Sequence, residues 1–313
     1  MSGPVPALAS LGAVALALWF AAPIDASSGG AAWWFWPLLV LFLALSWYAL
    51  RRLMAVGDRG ARALIVPGLF GVILVYLWQI LVVGLGIRGT LLPAPSVILA
   101  ALLDSPEILA QDFVHTFFKS MIPGYVIGCG SGLIVALLVD RVPFLQRGLL
   151  PMGNFASALP MVGVAPIMVQ WFGPDWPSKA AVVVIMTFFP MLVNAIAGLH
   201  ALGRIERDLM RTYAASYGTT LRLARLPAAL PFLFNALKVN STLALIGAIV
   251  AQFFSSPTVG MGFRISTEVG RFNIDIVWAT IVVAALAGSL SYGGIAMIER
   301  RSTFWHPSFR KTA

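Results

Sequence analysis

Residues 203–231 read GRIERDLMRTYAASYGTTLRLARLPAALP, a stretch with five arginines and two acids set between apolar runs at about 180–201 and 232–254. Such alternation of long apolar segments with short basic ones belongs to a chain threaded repeatedly through a bilayer. Within the stretch, Leu209, Tyr213, Ala214 and Tyr217 recur at helical spacing. Gly218 is expected to break that pattern and supply a bend, after which a second short basic helix runs to about Leu226, ahead of Pro227 and Pro231. Two short helices at an angle would make a knob. That knob suits either a basic helix pair lying on anionic lipid or a docking element for a soluble partner.

Outward from this loop the same alternation continues. Of 313 residues, 59% are hydrophobic and only 11% charged, and the mean hydropathy is +0.90. Soluble domains carry roughly twice that charged fraction, about 25%, so a soluble enzyme and a disordered chain are both excluded. The expectation is an all-α polytopic membrane protein with about eight spans, at 5–22, 33–50, 64–86, 120–139, 152–172, 180–201, 232–254 and 276–298. The first span has no Lys or Arg before it and is followed closely by a second, so it reads as a helix, not a signal peptide.

Sixteen of the 21 Lys and Arg fall on one side of this threading and five on the other. The richer side, holding 51–63, 140–150, 203–231 and both termini, is expected to be cytoplasmic. Trp33, Trp34 and Trp36 mark a boundary of the second span, as interfacial tryptophans do. Composition divides the chain into an N-terminal hairpin with a basic linker (1–63), a six-helix core (64–300) and a tail (301–313). The net charge of +9 fits basic loops beside lipid; no basic stripe interleaves with aromatics, so nucleic acid is not an expected partner.

The chain lacks the residues of most catalytic sites. It has no Gly-Lys dipeptide and hence no P-loop, three scattered histidines, one cysteine (Cys129) and no Gly-x-Ser-x-Gly elbow. Neither a metal nor a cofactor is expected. Carboxylates are scarce in the spans, which speaks against a proton-driven carrier. Energy for uphill transport would then come from another polypeptide.

Here the chain resembles a known family. The 203–231 loop is similar to the signature of permease subunits of binding-protein-dependent ABC importers: Glu-Ala-Ala, three residues, Gly, nine residues, Ile, one residue, Leu-Pro. In that register Ala214 is the second Ala, Gly218 the Gly, and Leu230-Pro231 the closing pair. Thr212 replaces the Glu, Tyr213 the first Ala and Ala228 the Ile. The resemblance extends over about 64–305: LLPAPSVILAALL at 91–103, ALPMVGVAPIMVQWFGPDWPSKA at 158–180, VGMGF at 259–263 and Glu299-Arg300-Arg301 are similar to the nitrate, sulfonate and taurine branch, which includes a pyrimidine-precursor and riboflavin sub-branch.

The resemblance implies a type I ABC importer permease fold without an ATP site of its own. It implies a pair of permeases, expected here as a homodimer in the inner membrane, ATPase subunits at the cytoplasmic face and a periplasmic or lipid-anchored solute-binding protein outside. Coupling to the ATPase would use Thr212, Tyr213, Ala214, Ala215, Tyr217, Gly218, Leu230 and Pro231. Prolines in a span leave carbonyls that need protein or water, and amides are expensive in lipid; Pro160, Met161, Pro166, Gln170, Asn194 and Gln252 are therefore expected along a translocation pathway. Lys238 is expected to snorkel to the membrane surface. The segments 89–115, with Asp104, Glu107 and Asp112, and 255–275, with Arg264, Glu268, Arg271 and Asp275, are expected to be exposed outer surfaces. Gly124, Gly128 and Gly132, four apart, are expected to let two helices approach closely. The rival readings are an ATPase-independent secondary carrier, a structural membrane subunit and a membrane-embedded enzyme.

Overall fold

A computed structural model describes residues 10–17, 34–54, 62–142, 161–254 and 258–305. Among these, every regular element is a helix: α1 (10–17), α2 (Phe35–Met54), α3 (Arg62–Gly84), α4 (Pro95–Asp104), α5 (Pro106–Val139), α6 (Met161–Phe172), α7 (Trp176–His200), α8 (Arg204–Thr212), α9 (Tyr217–Gln252), α10 (Met261–Gly270) and α11 (Ile274–Ser302). Six of the described helices, α2, α3, α5, α7, α9 and α11, are long and apolar enough to span a bilayer. Most of the expected 5–22 span, and 152–160 of the fifth, lie outside the described residues.

Two helix starts lie several turns ahead of the hydropathy reading. The 120–139 span is the second half of α5, a 34-residue helix that begins at Pro106. Glu107, Asp112, His115 and Lys119 interrupt the apolar run without interrupting the helix, which passes through a π-helical segment at His115–Met121. Likewise α9 starts at Tyr217, runs through a π segment at Leu221–Arg225 and continues across Pro227 and Pro231 to Gln252. Pro227 was expected to end a helix. It falls instead in the first turn after the π segment, where the i→i−4 ladder is already reset and a missing N–H is tolerated.

The chain divides into two compact units, Met1–Ser105 with Glu268–Ala279 and Pro106–Thr267 with Thr280–Ala313. In the first, α2 and α3 pair around Phe35, Leu39, Phe42, Ile73 and Ile80, joined by Leu11 of α1. Phe35 is fully buried and lies where a side chain at Gly84 would have to go. The Gln79 amide grips the start of α4: its Nε2 donates to Ser96 Oγ at 3.0 Å, and Ser96 N donates to its Oε1 at 2.9 Å.

The second unit is built around α7. Gly124, Gly128 and Gly132 of α5 lie against Val183, Thr187 and Phe188; a Cβ at Gly124 would stand 2.6 Å from Val183 Cβ, and one at Gly132 would stand 2.6 Å from Phe188 O. Lipid provides no hydrophobic drive for helix pairing, so such backbone approach, with its dispersion contacts, supplies it. On α7's other side, Gly198 meets Ala229 and Phe232 of α9. Cys129, Met191, Leu192, Ala195, Leu199, Leu233 and Ala236 fill the core between the three helices. Polar bonds fasten them further: Asn240 Nδ2 donates to Thr187 O at 2.9 Å and Tyr125 OH to Leu237 O at 3.0 Å.

This packing predicts a contrast on a single helix. Gly124→Val and Gly132→Val should lower stability by about 1–3 kcal/mol through overpacking. Gly130→Ala, at a position with nothing within 4 Å, should leave it unchanged. Thermal unfolding of the purified protein in detergent reads both; equal midpoints for all three variants would remove the close α5–α7 approach as the basis of the unit.

Candidate functional site

The 203–231 stretch folds as α8, a tight turn and the first turns of α9. α8 has no buried residue. Ile205, Leu209 and Tyr213, four apart and hence on one face, are 83%, 50% and 77% exposed. Helical spacing in the sequence marks Leu209 and Tyr213 but not Ile205, because the acid and arginines around it hide the period. A charged helix that presents three large apolar side chains in a row offers a surface for another protein.

The bend is not at Gly218. It lies at Ala214, whose φ is +47°. Ala214 N donates to Arg211 O at 2.9 Å and Ala215 N to Met210 O at 3.0 Å. These are the paired bonds of a Schellman cap, in which the left-handed position usually falls to glycine. Ser216 then caps α9, its Oγ accepting from Thr219 N at 3.2 Å. Gly218 sits in that first helical turn, with open space where a side chain would go. The sequence misled because glycine is the commoner turn residue, whereas alanine here pays the left-handed strain.

Below the turn, three helix ends converge on one carboxylate. Asp140 caps α5 and its side chain is only 2% exposed. It accepts from Arg225 Nη1 and Nη2 at 2.7 and 2.6 Å, from Tyr217 OH at 2.6 Å, and lies 3.1 Å from His200 Nε2. Arg225 also donates through Nε to Leu199 O at 3.0 Å, and Arg141 stacks on the Tyr217 ring at 4.7 Å. Burial alone would push the Asp140 carboxyl up. Hydrogen bonds from Arg225 and Tyr217, the Arg225 charge and the His200 contact outweigh it and hold the group below its usual range.

At the opposite end of α5 a second buried carboxylate corrects the expected outer surface. Asp112 is fully buried; it accepts from Gly260 N at 2.7 Å and Arg264 Nε at 2.7 Å. Thr116 Oγ1 accepts from Met261 N at 2.8 Å, and Gln252 Oε1 accepts from Gly262 N at 2.8 Å and Thr116 Oγ1 at 3.1 Å. The VGMGF turn is thereby clamped to α5 and α9, with Gly260 at φ +136° and packed on Gln252. Glu268 is also buried, bonded by Arg271 and Asn273 at 3.1 and 2.8 Å.

The residues expected along a pathway do not share one cavity. Pro160 lies outside the described residues; Met161 opens α6, and Pro166 and Gln170 are exposed on it. Half-buried Asn194 donates back to Pro190 O at 2.8 Å within its own helix, and Gln252 is engaged in the turn just described. Lys238 does not snorkel free: its Nζ meets Glu299 Oε2 at 2.6 Å, both side chains largely buried. Lys179 is fully buried and donates to the carbonyls of Pro174 and Asp175. An apolar groove of about 670 Å³ runs along α9 and α11, lined by Leu245, Ile246, Ile249 and Ile281 with Thr242 and Tyr292.

The family described as binding-protein-dependent transport system inner membrane component matches residues 128–303. A formylaminopyrimidine transport permease protein of Halalkalibacterium halodurans is 28% identical over 239 residues, 76% of this chain and 95% of that relative. A riboflavin transport system permease protein of Chloroflexus aurantiacus is 27% identical over 238 residues, 75% of this chain and 88% of its own length. A putative aliphatic sulfonates transport permease protein of Bacillus subtilis is 25% identical over 241 residues, covering 76% and 86%.

Two outcomes are expected at this site. Ala214→Gly should be neutral or stabilising, since it removes left-handed strain of about 1–2 kcal/mol, whereas Ala214→Val should destabilise; thermal midpoints decide. The Asp140 pairing, with its folded-state pKa depressed, contributes fully above the ordinary carboxylate range and is lost as pH falls through the lowered value. The Tm difference between wild type and Asp140→Asn should thus be constant above about pH 5 and shrink below about pH 4.

Proposed function

Because the chain belongs to the family of inner-membrane components of binding-protein-dependent transport systems, we propose that its exposed α8 face is where ATPase subunits grip this ABC importer permease. The chain is the transport subunit, a multi-pass inner-membrane protein. ATP is hydrolysed by the partner subunits, and a solute-binding protein delivers ligand to the other face. Both termini and the 51–63, 140–150 and 203–231 segments are cytoplasmic, in keeping with the sixteen-to-five split of basic residues. Two copies form the pathway as a homodimer. Residues 1–63 are an extension on the transport core at 64–300, and 301–313 is a tail.

The observation that carries this reading is the row Ile205, Leu209 and Tyr213, exposed on an otherwise charged helix. The acid usual at the Thr212 position is absent, so shape and apolar area carry docking, as they do at interface anchors. Thr212, Ala214, Ala215, Tyr217 and Gly218 hold that surface, while Leu230 and Pro231 lie within α9.

The transported solute is an uncharged, planar heterocycle of the pyrimidine or vitamin-precursor class. Two relatives are named for formylaminopyrimidine and riboflavin. The α9–α11 groove is apolar with a tyrosine at its side, and the neighbouring Lys238 is neutralised by Glu299. A fixed positive charge, which an oxyanion such as nitrate, taurine or a sulfonate would want, is therefore not what this groove presents.

Reconstitution with its ATPase and solute-binding protein tests the assignment. Leu209→Asp and Tyr213→Asp should each lower ATPase association at least about tenfold, a loss of about 1.4 kcal/mol, with normal insertion. Unchanged association in both would sink the docking face. Ser216→Cys should react with an impermeant maleimide only in inverted vesicles; labelling in intact cells would reverse the topology. In proteoliposomes, unlabelled pyrimidines should compete for uptake and nitrate or taurine should not.

A further inference from the structure

We propose that Asp140, with Arg225 and Tyr217, is a rigid joint that transmits movement of the 203–231 knob to the ends of α5 and α7, and so positions the pathway helices during transport. The inference rests on the knob being the ATPase-facing element and goes beyond it, since Asp140 lies outside the loop, 77 residues before Tyr217.

The connectivity is specific. α8 is tied to α7 through the non-helical 201–203 stretch and to α9 through the Ala214 turn. By themselves these links would let the knob swing. Tyr217, in the first turn of α9, bonds Asp140 at the end of α5, and Arg225, one π segment later, bonds Asp140 with both terminal nitrogens and Leu199 O of α7 with the third. One guanidinium therefore spans the ends of two helices, and one carboxylate receives groups from α7 and α9. A planar, two-pronged Arg–carboxylate pair resists rotation as well as separation.

Stability alone does not call for such a device. Buried ion pairs are frequently replaceable by apolar packing without loss, and the adjacent core of Leu199, Ala229 and Leu233 already holds these helices together. What the pair adds is a fixed angle between the knob's second helix and the two helices beneath it. The widened π segment at Leu221–Arg225 rotates Arg225 relative to an uninterrupted α-helix, setting the face on which it meets Asp140. Pushed by a partner, the knob then carries α5, α7 and α9 along rather than hinging at their ends.

The test uses the complete importer in nanodiscs or proteoliposomes, with Asp140→Asn, the milder Tyr217→Phe, and the exchanged pair Asp140→Arg with Arg225→Asp. Three quantities are read: ATPase retained on the permease, ATP hydrolysis stimulated by the loaded binding protein, and substrate moved per ATP. Asp140→Asn should keep the ATPase bound but lower substrate moved per ATP at least about fivefold, the low end of coupling energies between sites. Tyr217→Phe should fall between it and wild type, and the exchanged pair should recover a substantial part of the loss. An unchanged ratio in Asp140→Asn and Tyr217→Phe would overturn the joint. So would loss of the ATPase from the Asp140→Asn complex, which would make the residue part of docking. If Asp140→Asn fails to insert, Tyr217→Phe, which removes one hydroxyl, decides alone. Failure of the ATPase to bind the wild-type chain would instead refute the docking assignment on which the joint depends.

Discussion

The second unit depends on the distance between α5 and α7. With Gly124, Gly128 and Gly132 on the contact, the two backbones approach until Val183 and Phe188 occupy the space side chains would take. With α9 packed on this pair, Tyr125 of α5 reaches the Leu237 carbonyl on α9, and Asn240 of α9 reaches the Thr187 carbonyl on α7. In a bilayer these carbonyls have no water to turn to, and the amide and hydroxyl are tolerated because they find partners on neighbouring helices. A wider spacing would separate the polar pairs as well as the apolar ones.

The same helix carries buried carboxylates at both ends, and each gathers parts distant in sequence. Asp112 holds the Gly260 amide and Arg264; Asp140 holds Arg225, Tyr217 and His200. A charge removed from water must be surrounded by donors or it is expelled. Each therefore acts as an assembly point, fixing the turn before α10 in one case and the base of the knob in the other. Between them the interior is apolar with single amides and hydroxyls, which suits a helix bundle that shifts as a body.

The knob itself is exposed. Its cap closes on Ala214 through bonds to Met210 and Arg211, and the helix that follows that turn is fixed by Asp140 through Tyr217 and Arg225. Stiff short elements of this kind suit reception of a push from a partner, since little of the motion is lost in the element. Its second helix continues without a break into a membrane-spanning one, so surface and interior share a single rod.

Much of this was legible in the residues. Apolar run lengths, the glycine spacing of α5 and the Gly218-to-Pro231 register are local patterns, and each reports helix, contact or family because hydrophobicity and spacing act through nearest neighbours. The beginnings of α5 and α9 were not legible: Asp112, His115 and Lys119 made the start of α5 look like loop, since a window average cannot know that a charge will be buried against Gly260 and Arg264. Nor could spacing place the bend at Ala214 over Gly218, because glycine permits a left-handed turn without requiring one. The chain by itself determined a polytopic helical permease with a basic knob. Which polar residues are structural, and that Asp140 joins three helix ends, were decided only by the tertiary fold, because each depends on groups 10 to 152 residues apart being brought within hydrogen-bond reach.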